Sequence, residues 1–157
     1  MKKNWIPVLG KITNGIYLLT TFHKDQINGM IASWVSLISY DPPLIMIAVH
    51  PNRYSHQLIE QSGYFALHSL GKRQKDYLAR FKGSDPRAKF SSIKWDTAMT
   101  GCPIIDDCVA YLECQVTASC RPGNHTIFIG EIVNAQALSE EELLCTIDYD
   151  GIYLGKA

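Results

Sequence analysis

The sequence predicts a mainly β protein, an antiparallel barrel with a few short helices attached, on three grounds. Extended stretches rich in β-branched and aromatic residues recur along the chain, turns containing proline or glycine separate them, and helical apolar spacing is brief wherever it occurs. A chain of 157 residues falls within the size of one domain and is long enough to bury a core without disulfides. One domain over residues 1–157 is expected.

The first strand is Ile16-Tyr17-Leu18-Leu19-Thr20-Thr21-Phe22, and His23-Lys24-Asp25-Gln26 turns the chain after it. Residues 30–40 read as a second strand, with Ile31, Ser33, Val35, Leu37 and Ser39 on one face and Ala32, Trp34, Ser36, Ile38 and Tyr40 on the other. Asp41-Pro42-Pro43 ends it. Leu44 to Val49 is a continuous apolar run between prolines, the pattern of a central strand buried on both faces. Residues 109–120 and 126–136 form a hairpin around Arg121-Pro122-Gly123-Asn124, where proline fixes φ and glycine accepts a positive value.

The helices are short. One is capped by Ser55 and closes near Gly63; another runs from Arg73 to Phe81 with Tyr77, Leu78 and Phe81 on one side; Asp85-Pro86 opens a third of a turn or two. Towards the C-terminus, Ser139 with Glu142 matches a capping box while Leu143-Leu144-Cys145-Thr146-Ile147 matches a strand, and the residues support both readings.

Composition excludes several classes of function. Lys and Arg number 15 and Asp and Glu 15, so the formal net charge is zero. The densest basic cluster, Lys72-Arg73-Gln74-Lys75, reads as a solvated helix start, and no nucleic-acid partner is expected. No apolar stretch reaches the length of a membrane span, and Ile6 to Lys11 is too interrupted for a signal-peptide core, so no membrane partner and a cytoplasmic location are expected. There the five cysteines stay reduced. Cys102, Cys108, Cys114 and Cys120 recur every six residues, whereas structural zinc sites use close pairs roughly two to four residues apart. They read as buried free thiols, and His23, His50, His56 and His68 show no ligand spacing either; no metal is expected.

Chemistry concentrates between Asn28 and His56. The small side chains of Ala32 and Ser33 let backbone N–H groups approach a flat ligand, and Trp34 beside them is either a wall of that site or core. Asn52-Arg53-Tyr54-Ser55 leads into a helix, where free N–H groups, a helix dipole, a hydroxyl and a guanidinium gather into an anion site. The plainer reading is that Ser55 only caps the helix and Arg53 is solvated.

Three stretches, Asn28-Gly29-Met30-Ile31-Ala32-Ser33-Trp34-Val35-Ser36, Asp41-Pro42-Pro43-Leu44 and His50-Pro51-Asn52-Arg53-Tyr54-Ser55, are followed in order by two more. These are Gly123-Asn124-His125-Thr126-Ile127-Phe128-Ile129-Gly130-Glu131-Ile132 and the closing Tyr153-Leu154-Gly155. Together they resemble the flavin reductase-like, FMN-binding split-barrel family, with Ser33-Trp34 nearest its flavoredoxin-like branch. The resemblance implies a Greek-key split barrel that takes hydride from NADH or NADPH, bound transiently, onto FMN and passes electrons to an acceptor. The alternative it implies is an electron carrier with tightly held FMN, reduced by a redox protein such as a rubredoxin or ferredoxin. A third reading is a binding protein with a vestigial site.

By the same resemblance, Met30, Ile31, Ala32, Ser33 and Trp34 border the isoalloxazine, and Pro51, Asn52, Arg53, Ser55 and His56 hold the ribityl phosphate. His125 is the implied catalytic residue, close to the nicotinamide. A homodimer is also implied, with Trp5, Tyr17 and Tyr153 as aromatics for a partner to cover. One departure is plain: Ile31 stands where the family commonly has threonine, so a hydroxyl is missing there.

Overall fold

In the computed structural model, residues 4–154 are described; Gly155 of the closing motif lies outside them. Strands β1 (Tyr17–His23), β2 (Gln26–Ala32), β3 (Val35–Tyr40), β4 (Pro43–Val49), β5 (Tyr64–Ser69), β8 (Ala110–Cys120) and β9 (Thr126–Ala137) form one seven-stranded sheet in the order β2-β1-β5-β8-β9-β4-β3. Every pairing is antiparallel. The short β6 (Trp95–Thr97) and β7 (Pro103–Ile105) pair separately. Helices α1 (Ile6–Leu9), α2 (Tyr54–Ser62), α3 (Tyr77–Arg80) and α4 (Pro86–Phe90) complete the fold, none of them long and apolar enough to cross a membrane.

The two edges of this sheet, β2 and β3, are consecutive in the chain and joined only by Ser33-Trp34. Laid flat, seven strands would hold their edges about 29 Å apart, whereas Ala32 to Val35 spans at most about 11 Å. The sheet must therefore curl until its edges meet. Register shifts in the β8–β9 pair at Glu113/Cys114 and Val116/Ala118 supply the bend. The result is a barrel split along the seam between β2 and β3.

Two apolar clusters sit on either side of the wall. Leu19, Ile45, Ile47, Val49, Phe65 and Phe128 fill the barrel, while Leu18, Tyr77, Leu78, Phe81, Phe90 and Leu144 pack outside it. Adjacent Leu18 and Leu19 are both fully buried because each faces a different cluster, which explains the unbroken apolar run in β1.

Several expectations change. The strand expected over 30–40 breaks at Ser33-Trp34, and β2 starts earlier, at Gln26, after a turn in which Lys24 takes a φ of 55°. Asn28 and Gly29 have poor strand propensity, but pairing with Thr21 and Thr20 of β1 overrides it. β4 is not buried on both faces: Ile45, Ile47 and Val49 point into the core, and the alternate Met46 and Ala48 stay half-buried. β5, which the sequence reading passed over, is central. Ser55 is not the helix cap; Arg53 holds that position, and Gly63, with a φ of 77°, closes α2 as expected. The helix expected over 73–81 is a 3-10 turn at Lys72–Gln74 followed by the short α3. Asp85 does cap α4, accepting from the Arg87 N–H at 2.9 Å. Residues 139–145 form neither helix nor strand; Leu143 and Cys145 make single bridges to Gly71 and Gly15.

Cys102, Cys108 and Cys114 are buried free thiols, each pushed up to about 12 by burial, while Cys120 is exposed. Two buried polar groups tie loops to the barrel. The Glu113 carboxylate accepts from the N–H groups of Met99 and Thr100, the Thr100 hydroxyl and the Asn134 amide. Burial alone would raise its pKa, but these donors outweigh burial and hold it below the usual carboxylate range. His68 on β5 donates from Nδ1 to Leu18 O at 3.0 Å and accepts at Nε2 from Ile105 N–H at 3.2 Å, which pins β7 to the barrel.

That arrangement requires a neutral ring, and complete burial lowers the His68 pKa from 6.5 to about 4. The unfolded chain binds the extra proton between those values, so stability present above pH 6.5 is lost as pH falls towards 4. The loss amounts to roughly 3 kcal/mol. Urea unfolding between pH 7 and 4 should show it, and His68→Gln, less stable at pH 7, should flatten the slope. An unchanged slope in the variant would show that His68 carries none of it.

Candidate functional site

A cleft of about 680 Å³ opens along the seam. One wall is the end of β2 and the link after it: Met30, Ile31, Ala32, Ser33 and Trp34. Met46 and Ala48, the half-buried positions of β4, form the floor, and Arg53 and His50 lie towards α2. Asn124 and His125 of the β8–β9 turn face them, and Tyr153 and the N-terminal Leu9 and Ile12 complete the rim.

Local structure explains each placement. β2 and β3 do not pair across the seam, so the main chain there borders the cleft instead of another strand. Gly29 lies against α3: a Cβ on it would come within 2.7 Å of the Phe81 ring, which itself packs edge-on to Phe90 at 5.6 Å. Glycine is what allows β2 to sit this close. After β4, Asn52 N–H donates to His50 Nδ1 at 3.2 Å and Arg53 N–H to His50 O at 2.9 Å, a tight turn that brings extended Arg53 to the start of α2.

The His125 ring lies 4.6 Å from that of Trp34 and 5.1 Å from that of His50. Its Nδ1 donates to Asn124 Oδ1 at 2.8 Å, which leaves Nε2 as the acceptor of the neutral ring. Burial, then the neighbouring His50 and Arg53, hold its pKa below 6.5, so at pH 7 it is uncharged. Burial also raises the Tyr153 phenol, which sits against Ser33.

Of the residues singled out in the sequence, Met30, Ile31, Ala32, Ser33, Trp34, Arg53 and His125 therefore line one cleft. Pro51 and Asn52 form the turn beside it without lining it. Ser55 and His56 are buried beneath: Ser55 Oγ accepts from Asn28 Nδ2 at 2.9 Å, and His56 Nε2 lies 2.8 Å from Thr126 Oγ1. Among the described residues no group of three or more His, Cys, Asp or Glu is arranged to hold a metal ion.

Sequence reasoning missed several residues at or beside the cleft, Leu9 and Ile12 of its rim among them. Met46 and Ala48 were legible as alternate positions of a strand that looked buried on both sides. His50 stood inside a quoted motif and was passed over for want of a metal pair. Lys89 had no signal, being one lysine in a short helix, yet it is 5% exposed and donates to Asn28 Oδ1 at 3.0 Å and Gly29 O at 2.9 Å.

Small residues and bare main chain along a long wall, with a guanidinium and a helix start at one end, suit a flat heterocycle carrying an anionic tail. A family model described as a flavin reductase like domain matches residues 9–153. The chain belongs to this family. The flavin reductase-like chain is 32% identical over 148 residues to the reductase subunit HsaB of a flavin-dependent monooxygenase from Mycobacterium tuberculosis, covering 94% of this chain and 79% of that one. It is 30% identical over 150 residues to a ferric-chelate reductase (NAD(P)H) from Archaeoglobus fulgidus, covering 93% and 89%. A solved structure of the NADH:FAD oxidoreductase SgcE6 from Streptomyces globisporus, in complex with NAD and FAD fragments, superposes with a TM-score of 0.81 at 28% identity, covering 88% and 83%.

Proposed function

We propose that this chain is, as one domain, an NAD(P)H-dependent flavin reductase that holds FMN in the seam cleft. The observation carrying this reading is the convergence of three sequence-distant segments, 30–34, Arg53 and His125, on one cleft in a chain of this family. FMN held there would supply a hydride acceptor for the nicotinamide and a source of electrons for an acceptor. The main chain of Met30 to Trp34 orients the ring edge without adding charge. Arg53 and the first turn of α2 bind the phosphate, with Pro51 and Asn52 shaping the turn and Ser55 and His56 of α2 anchoring the helix to Asn28 and Thr126.

Neutral His125 positions the nicotinamide. With Nδ1 committed to Asn124, Nε2 is an acceptor suited to a carboxamide N–H rather than to a phosphate. The phosphate site reads only the half that FMN and FAD share, so FAD is a comparison ligand for the same cleft. NAD(P)H in the names of relatives favours direct reduction over a carrier fed by a redox protein. The same names support differing acceptors, with a monooxygenase component taking reduced flavin ahead of a rubredoxin or ferredoxin.

We further infer a homodimer. Edge strand β3 and the link before it expose Trp34, Leu37, Ile38 and Tyr40, at 39%, 49%, 45% and 90%. An apolar edge of this kind invites pairing and needs cover. It is a stronger candidate than Tyr17 and Tyr153, which are half-buried, although Trp5 is 52% exposed.

Arg53→Ala should weaken FMN by about 1.5 to 3 kcal/mol and leave riboflavin unchanged, as read by fluorescence titration. Equal wild-type affinities for the two would sink the phosphate assignment. His125→Ala should slow anaerobic bleaching of the flavin band by NAD(P)H about 10- to 100-fold in stopped flow, with FMN affinity retained. A wild type that neither nucleotide reduces removes the reductase reading. Sedimentation should give a dimer at micromolar concentration, and Leu37→Glu with Ile38→Glu a monomer; a monomeric wild type refutes the dimer.

A further inference from the structure

Two histidines stand side by side in the cleft, and their tautomers are opposite. His50, directly after β4, accepts from the Asn52 N–H at its Nδ1 at 3.2 Å. A ring nitrogen that accepts carries no proton, so Nε2 of the neutral ring is a donor. His125 is the reverse: Nδ1 donates to Asn124 Oδ1 at 2.8 Å, and Nε2 is left as an acceptor. Both rings line the cleft, with centroids 5.1 Å apart. Neither Nε2 has a hydrogen-bond partner among the described residues, and neither is sealed from solvent. Each tautomer is set by a group within two residues in the chain, so neither depends on a ligand. Trp34, at 4.6 Å on the His125 ring, adds a further aromatic contact that holds it in place.

The pair therefore offers one donor and one acceptor, close enough for a single small planar group to reach both, since each hydrogen bond spans about 3 Å. A primary carboxamide presents the complementary pair, a carbonyl oxygen and an N–H, whereas a carboxylate or phosphate presents acceptors alone. We infer that His50 is a specificity-determining residue for the nicotinamide, its Nε2–H donating to the carboxamide oxygen while His125 Nε2 accepts from the carboxamide N–H. The pyrimidine edge of a flavin carries the same amide chemistry, but the main chain of Met30 to Trp34 already suits that edge. The inference rests on the reductase reading given above and extends it from one histidine to two. The plainer role for His50 is to shape the turn that brings Arg53 to α2, through its bond to Asn52.

His50→Asn separates the two roles, because asparagine Oδ1 accepts from the Asn52 N–H as Nδ1 does while the Nε2–H donor is lost. His50→Gln returns an N–H donor at the reach of Nε2. Calorimetric titration of the FMN-loaded protein with NAD+ or NADP+, whichever the wild type binds more tightly, should show affinity falling about 3- to 10-fold in His50→Asn and returning to within about two-fold of wild type in His50→Gln. FMN affinity should stay within about two-fold in both variants. The 3-acetylpyridine analogue of the nucleotide keeps the carbonyl and has a methyl group in place of the amide nitrogen. It should lose as much as the natural nucleotide from His50→Asn, yet only the natural nucleotide should lose from His125→Phe, which keeps a ring against Trp34 without the acceptor. Equal weakening in the Asn and Gln variants, an analogue insensitive to His50→Asn, or a matching loss of FMN affinity would each overturn the inference, the last by returning His50 to the turn or to the flavin. A wild type that binds neither nucleotide defeats the reductase reading and this inference with it. A wild type that binds one of them with an affinity unchanged in His50→Asn defeats this inference alone.

Discussion

A link of two residues, Ser33-Trp34, joins strands that stand at opposite edges of a seven-stranded sheet. Everything else follows from that covalent limit. Because the edges cannot separate, the sheet closes; because the link is not itself a strand, it closes imperfectly and leaves a seam. The long β8–β9 hairpin must then bend, which its irregular registers permit, and its turn is carried round to the mouth with Asn124 and His125. The cleft is the residue of an incomplete closure rather than a hole carved in a finished barrel.

Charge is distributed along the cleft to match. The walls are small, apolar or neutral, and His125 is kept uncharged chiefly by burial. The cations lie at one end, where Arg53, the start of α2 and the buried Lys89 gather. The thiols of Cys102 and Cys114 remain protonated because burial raises them to about 12, so three cysteines in the body of the protein add no nucleophile to a redox environment, Cys108 being the third. Buried Glu113 and His68 satisfy their partners completely and serve the fold.

Features set by local chemistry were legible in the sequence. The β8–β9 hairpin, the Gly63 stop and the Asp85 cap depend on residues within a turn of one another, and all three are observed, although Gly123 does not take the positive φ expected of it. Ordered motifs located Met30 to Trp34, Arg53 and His125. What stayed hidden depends on distant partners. Asn28 and Gly29 are strand residues only because Thr21 and Thr20 lie opposite, Ser55 turns inward because Asn28 awaits it, and Lys89 matters only once α4 packs under β2. Even the break at Ser33-Trp34 leaves the alternating pattern of residues 30–40 untouched, since the pattern records side-chain faces and not hydrogen-bond partners.

Ile31 shows how the same seam accommodates isoleucine where the resemblance implies threonine. It packs against the outer apolar cluster with Leu18 and Phe81 and also borders the cleft. A threonine at this position would bring a hydroxyl to a boundary that is apolar on one side, and that hydroxyl would need a partner in the cleft to offset its burial. Isoleucine removes the requirement and puts an ethyl group in place of the hydroxyl, adding to the packing that holds β2 against the helices. The polar contacts along this wall then come from main-chain groups and from Ser33, whose hydroxyl sits against Tyr153. Polarity that a side chain supplies can be altered by one substitution, whereas polarity supplied by an unpaired strand edge persists for as long as the two-residue link holds the seam open.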